Sequence, residues 1–335
     1  MLFAGFQRVR AKSTEVSDES TETSFKDTVP ESFQDEWTAE NDHLILDAQV
    51  VVPEEEITVG MVEEVPVDEN LIRKVLLKED ENEIIEIESE SGRQLIVEDK
   101  LHEIDSPLGL KYSCLMTDSQ HRFDFTDHIE DNKTNNRNDV FINPVDLTEK
   151  DQQAREKYET QMLQILEQLG INKGIQKIDL FKNDAGYNST VTASTLIGNT
   201  ASYPLYLYAM EGSYIEDGCS AQFNNESMWV MYNVKNYQVS DSEKAELLPF
   251  DTIITTAKQL FEHQIISNLT VDQISSKYSI NRIQLTYVLK NSDNGSIYRP
   301  IWVFEKNISE LNGYVPFFVI DAQTGELELY SNFGL

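Results

Sequence analysis

Residues 298–306, YRPIWVFEK, and residues 314–330, YVPFFVIDAQTGELELY, decide the fold class of this chain. Each carries a strand-length run of β-branched and aromatic residues, Ile301–Phe304 and Val315–Ile320, of the kind that packs well on a pleated surface. Between Asp321 and Glu326 the residues Ala322, Gln323, Thr324 and Gly325 spell a tight turn, so the second run continues into another strand. Just upstream, INRIQLTYVLK at 280–290 alternates apolar and polar positions and ends in the turn NSDNGS at 291–296. Before that, Ile253, Ala257, Leu260 and Phe261 recur at helical spacing and predict a helix over about Phe250–His263. A helix followed by three or four antiparallel strands therefore closes the chain.

The same signals extend toward the N-terminus. In DLTEKDQQAREKYETQMLQILEQLG (146–170), Thr148 and Asp151 have capping-box spacing. Ala154, Tyr158, Met162, Ile165, Leu166 and Leu169 form one apolar stripe, and Gly170 stands where a left-handed C-terminal residue belongs. SYPLYLYAMEG (202–212) and SMWVMYNVKNYQV (227–239) alternate aromatic and aliphatic residues as strands do. A strand is expected over Leu44–Val52 and a short helix over Asp68–Leu77. Hairpins are expected in NEIIEIESESGRQLIVED (82–99) and LKYSCLMTDSQHRFDFTDH (110–128). The polar stretch EDNKTNNRND (130–139) marks a boundary. The pattern predicts an α+β protein, antiparallel and β-rich, with two main α-helices. Its parts would be a disordered leader and tether at 1–30, a β-rich domain at 31–140 and an α+β domain at 141–335.

Composition narrows the classes of function. The 335 residues, 40% hydrophobic and 10% aromatic, suffice for real cores. A formal net charge of -32 repels phosphate backbones and anionic membrane surfaces, so nucleic acid is excluded as a partner. Two cysteines, Cys114 and Cys219, are too few for a disulfide scaffold; they form either one bridge or two buried thiols. No later run has the length of a membrane span. The start, MLFAGFQRVRAKS, lacks the basic opening of a secretory signal. Phe3-Ala4-Gly5 before Phe6 nonetheless has the order of a lipoprotein box with Phe in place of the lipid-bearing Cys. The Ser/Thr/Glu-rich segment that follows, residues 11–32, reads as a solvated tether.

No stretch spells out a reaction. HRFDFTDH is the densest set of potential metal ligands, with His121, Asp124, Asp127 and His128, but strand alternation sends His121 and Asp124 to opposite faces. The acidic stretch Glu54–Glu90 lacks the spacing of a calcium loop, and Asn291–Gly295 lacks the following Glu, so a hairpin turn accounts for it. GxSxG, HExxH, the phosphate-binding GxxxxGK[ST] and a strand-bound GxGxxG are all absent. The N-x-[ST] triplets at Asn132, Asn188, Asn225, Asn268, Asn294 and Asn307 reflect an Asn-rich composition. No catalytic, cofactor-binding or metal residue is assigned, and no cofactor is expected.

The closing residues resemble PepSY-like modules of bacterial envelope proteins, which end in an aromatic strand, a loop and a strand running into an Asp-x-x-Thr-Gly-Glu turn. Asp321, Thr324, Gly325 and Glu326 match that turn. More widely, VPESFQDEW, LILDAQVVVPE, NESMWVMYNV, ELLPFDTI and IDAQTGEL resemble an uncharacterised lipoprotein family of Gram-positive bacteria, a domain of unknown function. The family's lipidated Cys is replaced here by Phe6. The resemblance implies an extracytoplasmic, cell-envelope location, with peripheral membrane association through a lipid anchor lost from, or upstream of, this start. The leading expectation is a non-enzymatic binding or regulatory protein that takes a protein or peptide partner at an exposed strand edge. The rivals are a hydrolase with a carboxylate-based site assembled from distant residues, and a structural envelope protein.

Overall fold

The computed structural model describes residues 24–39, 42–98, 110–117, 121–128, 139–144, 147–184, 186–207, 214–224, 227–262, 277–308 and 313–330. The leader at 1–23, most of the 130–139 boundary and the turn at 118–120 lie outside the described residues.

The chain begins with β1 (Ser32–Ala39), β2 (Asp42–Val51), β3 (Thr58–Glu64) and helix α1 (Glu69–Val75). It continues through β4 (Ile84–Ser89), β5 (Gly92–Glu98), β6 (Leu110–Thr117), β7 (Arg122–Asp127), β8 (Val140–Ile142) and α2 (Glu149–Gln168). Next come β9 (Lys173–Asn183), β10 (Gly186–Ile197), β11 (Thr200–Ala201), β12 (Cys219–Phe223), β13 (Met228–Lys235) and β14 (Tyr237–Lys244). Helix α3 (Phe250–Leu260) precedes β15 (Lys277–Ser292), β16 (Gly295–Ile308), β17 (Gly313–Asp321) and β18 (Leu327–Tyr330).

These strands make two sheets. The eight-stranded sheet has the order β1-β2-β15-β16-β17-β18, with β3 paired to both β16 and β14. The ten-stranded sheet has the order β4-β5-β6-β7-β13-β12-β10-β9-β8, with β11 beside β10. Residues 31–140 and 141–335 each contribute strands to both sheets.

The expected α+β class, with its PepSY-like helix-plus-strands ending, is corrected: strands make up 57% of the chain in two large sheets, and the fold is mostly β. The helices stand where spacing placed them, but they are a small part of a sheet structure. The cause is long-range pairing. The polar segment SFQDEWTA of β1, and SDSEK (240–244) of β14 beyond the run that ends at Val239, carry no local strand signal. They become strands because β2 and β3 supply hydrogen-bonding edges in matching register. SYPLYLYAMEG (202–212), expected as a strand, instead follows β11 without extending it and makes a 3₁₀ turn at Leu205–Leu207 after Pro204; residues 208–213 lie outside the described residues.

The opening stretches now have a physical account. On one face of β15–β17, Trp302, Phe304, Phe317 and Phe318 pack beneath Phe250, Ile253, Ala257 and Phe261 of the α3 segment. Phe304 stacks on Phe318 with ring centroids 4.3 Å apart. On the other face, Val288, Ile301, Val303 and Val319 are covered by Tyr203 and Leu205, which arrive from the ten-stranded sheet. Strands buried on both faces read as unbroken apolar runs. Helix α2 buries Tyr158, Met162 and Leu166 against the second sheet. Its capping box forms as spaced: Thr148 Oγ1 accepts from the Asp151 amide at 3.3 Å, and Asp151 accepts from the Thr148 amide at 2.9 Å. Gly170 ends the helix segment with φ +67.

The run SMWVMYNVKNYQV breaks at Asn236, where β13 leaves one sheet and β14 enters the other. Asn236 is 3% exposed, and its carbonyl accepts from the Val65 amide at 2.8 Å, where the chain makes the opposite crossing after β3. Its side chain accepts from the Asn172 amide at 3.2 Å and donates to the Gly170 carbonyl at 3.4 Å.

Cys114 on β6 and Cys219 on β12 are both free, buried in the core beneath α2. Three strand spacings separate β6 from β12, about 14 Å, beyond any disulfide. Burial pushes both thiols above their ordinary pKa.

Two outcomes follow from this packing. Asn236→Ala removes the two hydrogen bonds that this buried side chain makes to the Asn172 amide and the Gly170 carbonyl and is expected to lower stability by about 1–3 kcal/mol in urea titration; a change within about 0.5 kcal/mol would refute the role given to the crossing. A thiol reagent such as Ellman's should titrate neither cysteine in the native protein and both in denaturant.

Candidate functional site

The four residues of HRFDFTDH do not converge. On β7, Phe123 and Phe125 face the core while Asp124 faces outward. Asp124 Oδ1 accepts from the Asn233 amide at 2.6 Å, and Oδ2 lies 3.6 Å from Arg122. His121 Nδ1 sits 3.7 Å from Glu64, while Asp127 is 8% exposed in the sheet. Among the described residues no three His, Cys, Asp or Glu side chains are grouped to hold a metal.

His128 makes a contact the sequence gave no reason to seek: its Nε2 lies 2.7 Å from Ser113 Oγ on the neighbouring strand β6. This is the spacing of a nucleophile and its base. Neither residue lines the cavity at Glu54–Glu56, the one at β3, β14 and β16, or the one at Phe181 and Trp229, so the pair reads as a cross-strand bond. Local motifs cannot reveal it, because only the β6–β7 register, Ser113 opposite Thr126, brings the two together.

The buried acids are each used separately. Glu305 accepts from Tyr203 at 2.9 Å and from Arg282. Asp321 caps its own turn, accepting from the Gln323 and Thr324 amides at 2.8 Å. Asp217 accepts from Ser202 Oγ and the Thr195 amide, its carbonyl accepts from Lys173, and all four residues are 3% exposed or less. None of these acids forms the paired, solvent-reached carboxylates that the carboxylate-based hydrolase reading calls for.

The acidic stretch Glu54–Glu90 divides likewise. Glu54 pairs with Lys26, Glu56 with Lys244 at 2.9 Å, and Glu55 accepts from the Asn199 amide at 2.9 Å. Around these glutamates lies a cavity of about 380 Å³, open to Phe25 and Leu247. A shallower one of about 450 Å³ lies where β3, β14 and β16 meet, lined by Gly60, Asp241, Tyr298 and Arg299. The turn Asn291–Gly295 is a hairpin closed by Ser292 Oγ donating to the Gly295 carbonyl at 2.8 Å.

The surface with the most distinctive construction is β4. Its sequence, IIEIES, alternates apolar and acidic residues, and it pairs with β5 through a two-residue turn closed at Ser89 and Gly92. Gly92 holds φ +129, where a Cβ would lie 2.2 Å from the Met116 carbonyl, so glycine is required there. On the inner side, Glu86 is held by Arg73 and Arg93, and Glu69 joins the same arginines. The Arg73 guanidinium keeps the Glu86 carboxyl below its usual range. This network fixes β4 against α1 and leaves Ile85 and Ile87 outward, 42% and 47% exposed.

Among the described residues nothing pairs with the far side of β4, an edge of the ten-stranded sheet. The two-residue turn sets the ladder: Ile85 and Ile87 bond toward β5, and the backbone groups of Ile84, Glu86 and Glu88 point away from the sheet. The edge therefore offers a ladder of free donors and acceptors, a pair of isoleucines on one face, and exposed Glu86, Glu88 and Glu90. Sequence patterning shows the strand and its hairpin, but not that it ends a sheet.

No family model and no curated protein matches the sequence. Among solved structures, the chain is similar to an uncharacterized protein from Eubacterium rectale ATCC 33656. The identity is 12% and the TM-score 0.54, over 92% of this chain and 98% of the other, a likeness of fold alone.

Proposed function

We propose that this protein is a non-enzymatic binding protein of the extracytoplasmic face of a Gram-positive cell, taking an extended segment of a basic polypeptide along β4. The observation that carries the reading is the edge itself, with free backbone groups beside exposed Ile85 and Ile87. Natural proteins protect such edges with charged residues, lysine above all, with proline or with a covering element; among the described residues β4 carries no lysine, proline or cover, and its charges are acidic, which leaves it open to a basic strand. Strand addition draws affinity from main-chain hydrogen bonds and specificity from alternate side chains. The acidic residues of the strand and the net charge of -32 favour lysine- and arginine-rich partners. The extracytoplasmic placement is supported by the short motifs resembling Gram-positive lipoproteins and by the Ser/Thr/Glu-rich stretch before β1.

A short peptide of alternating lysine and valine should bind saturably, with a Kd on the order of 10–100 μM. Raising salt from about 0.05 to 0.5 M should weaken it. Glu88→Pro removes only an outward N–H, so it should leave the fold intact and abolish binding. Binding unchanged in that variant, or equal for a peptide with methylated backbone nitrogens, would refute the edge. Separately, a membrane-impermeant amine reagent added to intact host cells should label the protein. Labelling only after lysis would refute the placement.

A further inference from the structure

The outward face of the ten-stranded sheet carries a second feature about 20 Å from β4, four strand spacings away on β13 and beyond. There a cavity of about 310 Å³ is lined by Asp139, Phe181, Asn188, Thr190, Gln222 and Trp229. Strand register builds it. Phe181 lies opposite Asn188, Thr190 opposite Gln222, and Gln222 opposite Val230. Pairing then slips between Gln222 and Phe223, so Trp229 has no direct partner across β12. A bulge of this kind re-aims a side chain. Phe181 on β9 and Trp229 on β13 are thus three strand spacings apart, about 14 Å, with the amides Asn188 and Gln222 between them.

The lining is held in place before any ligand arrives. Phe141 meets Phe181 edge to face at 5.6 Å and 77°. Asp139 accepts from Asn183 at 2.6 Å and from Asn188 at 3.2 Å, which orients the Asn188 amide.

We propose that this cavity binds a neutral carbohydrate chain. A pyranose ring presents an apolar face of C–H groups and a rim of hydroxyls. Aromatic rings cover the first, and amide side chains, which both donate and accept, match the second. The lining contains no Lys or Arg, which a phosphorylated or carboxylated sugar would call for, and the net charge of -32 repels polyanions. A purely apolar ligand would cover the polar ends of Gln222 and Thr190 and the Asn188 amide oxygen without bonding to them. The site is independent of the β4 edge and stands or falls separately from it.

The chain's three tryptophans make the test direct, because Trp37 and Trp302 are fully buried while Trp229 is partly exposed in the cavity. The full chain is titrated with cellotetraose, tetra-N-acetylchitotetraose and maltotetraose, following tryptophan emission, acrylamide quenching and calorimetric heat. At least one sugar should shift emission saturably, with a Kd on the order of 0.01–1 mM, and protect Trp229 from acrylamide. By calorimetry, Trp229→Ala and Gln222→Ala should each weaken binding about tenfold or more with unchanged thermal unfolding. No saturable change with any of the three up to about 10 mM would overturn the proposal. So would affinity undiminished in both variants, or protection of Trp229 by the lysine–valine peptide and not by the sugars.

Discussion

The architecture depends on one crossing. The chain passes between the sheets after β3 and again before β14, and the two passages are bonded to each other through the Val65 amide and the Asn236 carbonyl. The buried side chain of Asn236 then reaches the end of the α2 segment and the approach to β9. A backbone polar group buried at such a point needs a partner, and here each passage supplies the other's. β3 and β14, neighbours by pairing, can therefore join the eight-stranded sheet although 172 residues separate the ends Glu64 and Tyr237, counting the residues from 65 through 236.

The two sheets use their faces differently. The eight-stranded sheet buries β15–β17 on both sides, under α3 on one and under Tyr203 and Leu205 on the other. The segment carrying those residues also bonds to β15, with the Tyr203 amide donating to Tyr287 at 2.6 Å and the Ile215 amide to Leu289 at 3.0 Å. Such strands are occupied by the interior. The ten-stranded sheet places α1 and α2 on one face, so its other face presents Ile85, Ile87, Trp229 and Tyr232 outward with varying exposure. Both features read as binding surfaces lie on this sheet, one at its edge and one on its flat side. Helix-then-meander recurs in both halves, α2 before β9, β10, β12 and β13, and α3 before β15–β18. The difference in covering, not in topology, separates the scaffold sheet from the presenting one.

Local chemistry was legible in the sequence wherever one segment decides its own conformation. Thr148, Asp151 and Gly170 set the ends of α2, and the 3.6-residue stripe set its buried face, because caps and periodicity act within a few residues. The strand at Leu44–Val52 and the two hairpins were legible for the same reason, through alternation and turn residues. The Ser113–His128 contact was not legible, since it exists only across a strand register.

Sequence by itself thus determined the helices, many of the strands, the capped ends of α2 and the acidic net charge. Tertiary structure alone decided that polar β1 and β14 are strands, and that a single aromatic run divides at Asn236 between two sheets. It also decided that the closing helix and strands belong to a mostly β fold, that β4 is an edge among the described residues, and that Phe181 and Trp229 share a face. The reason is physical: strand pairing satisfies backbone groups between segments far apart in the chain, and no local pattern encodes which distant edge will be free to receive them.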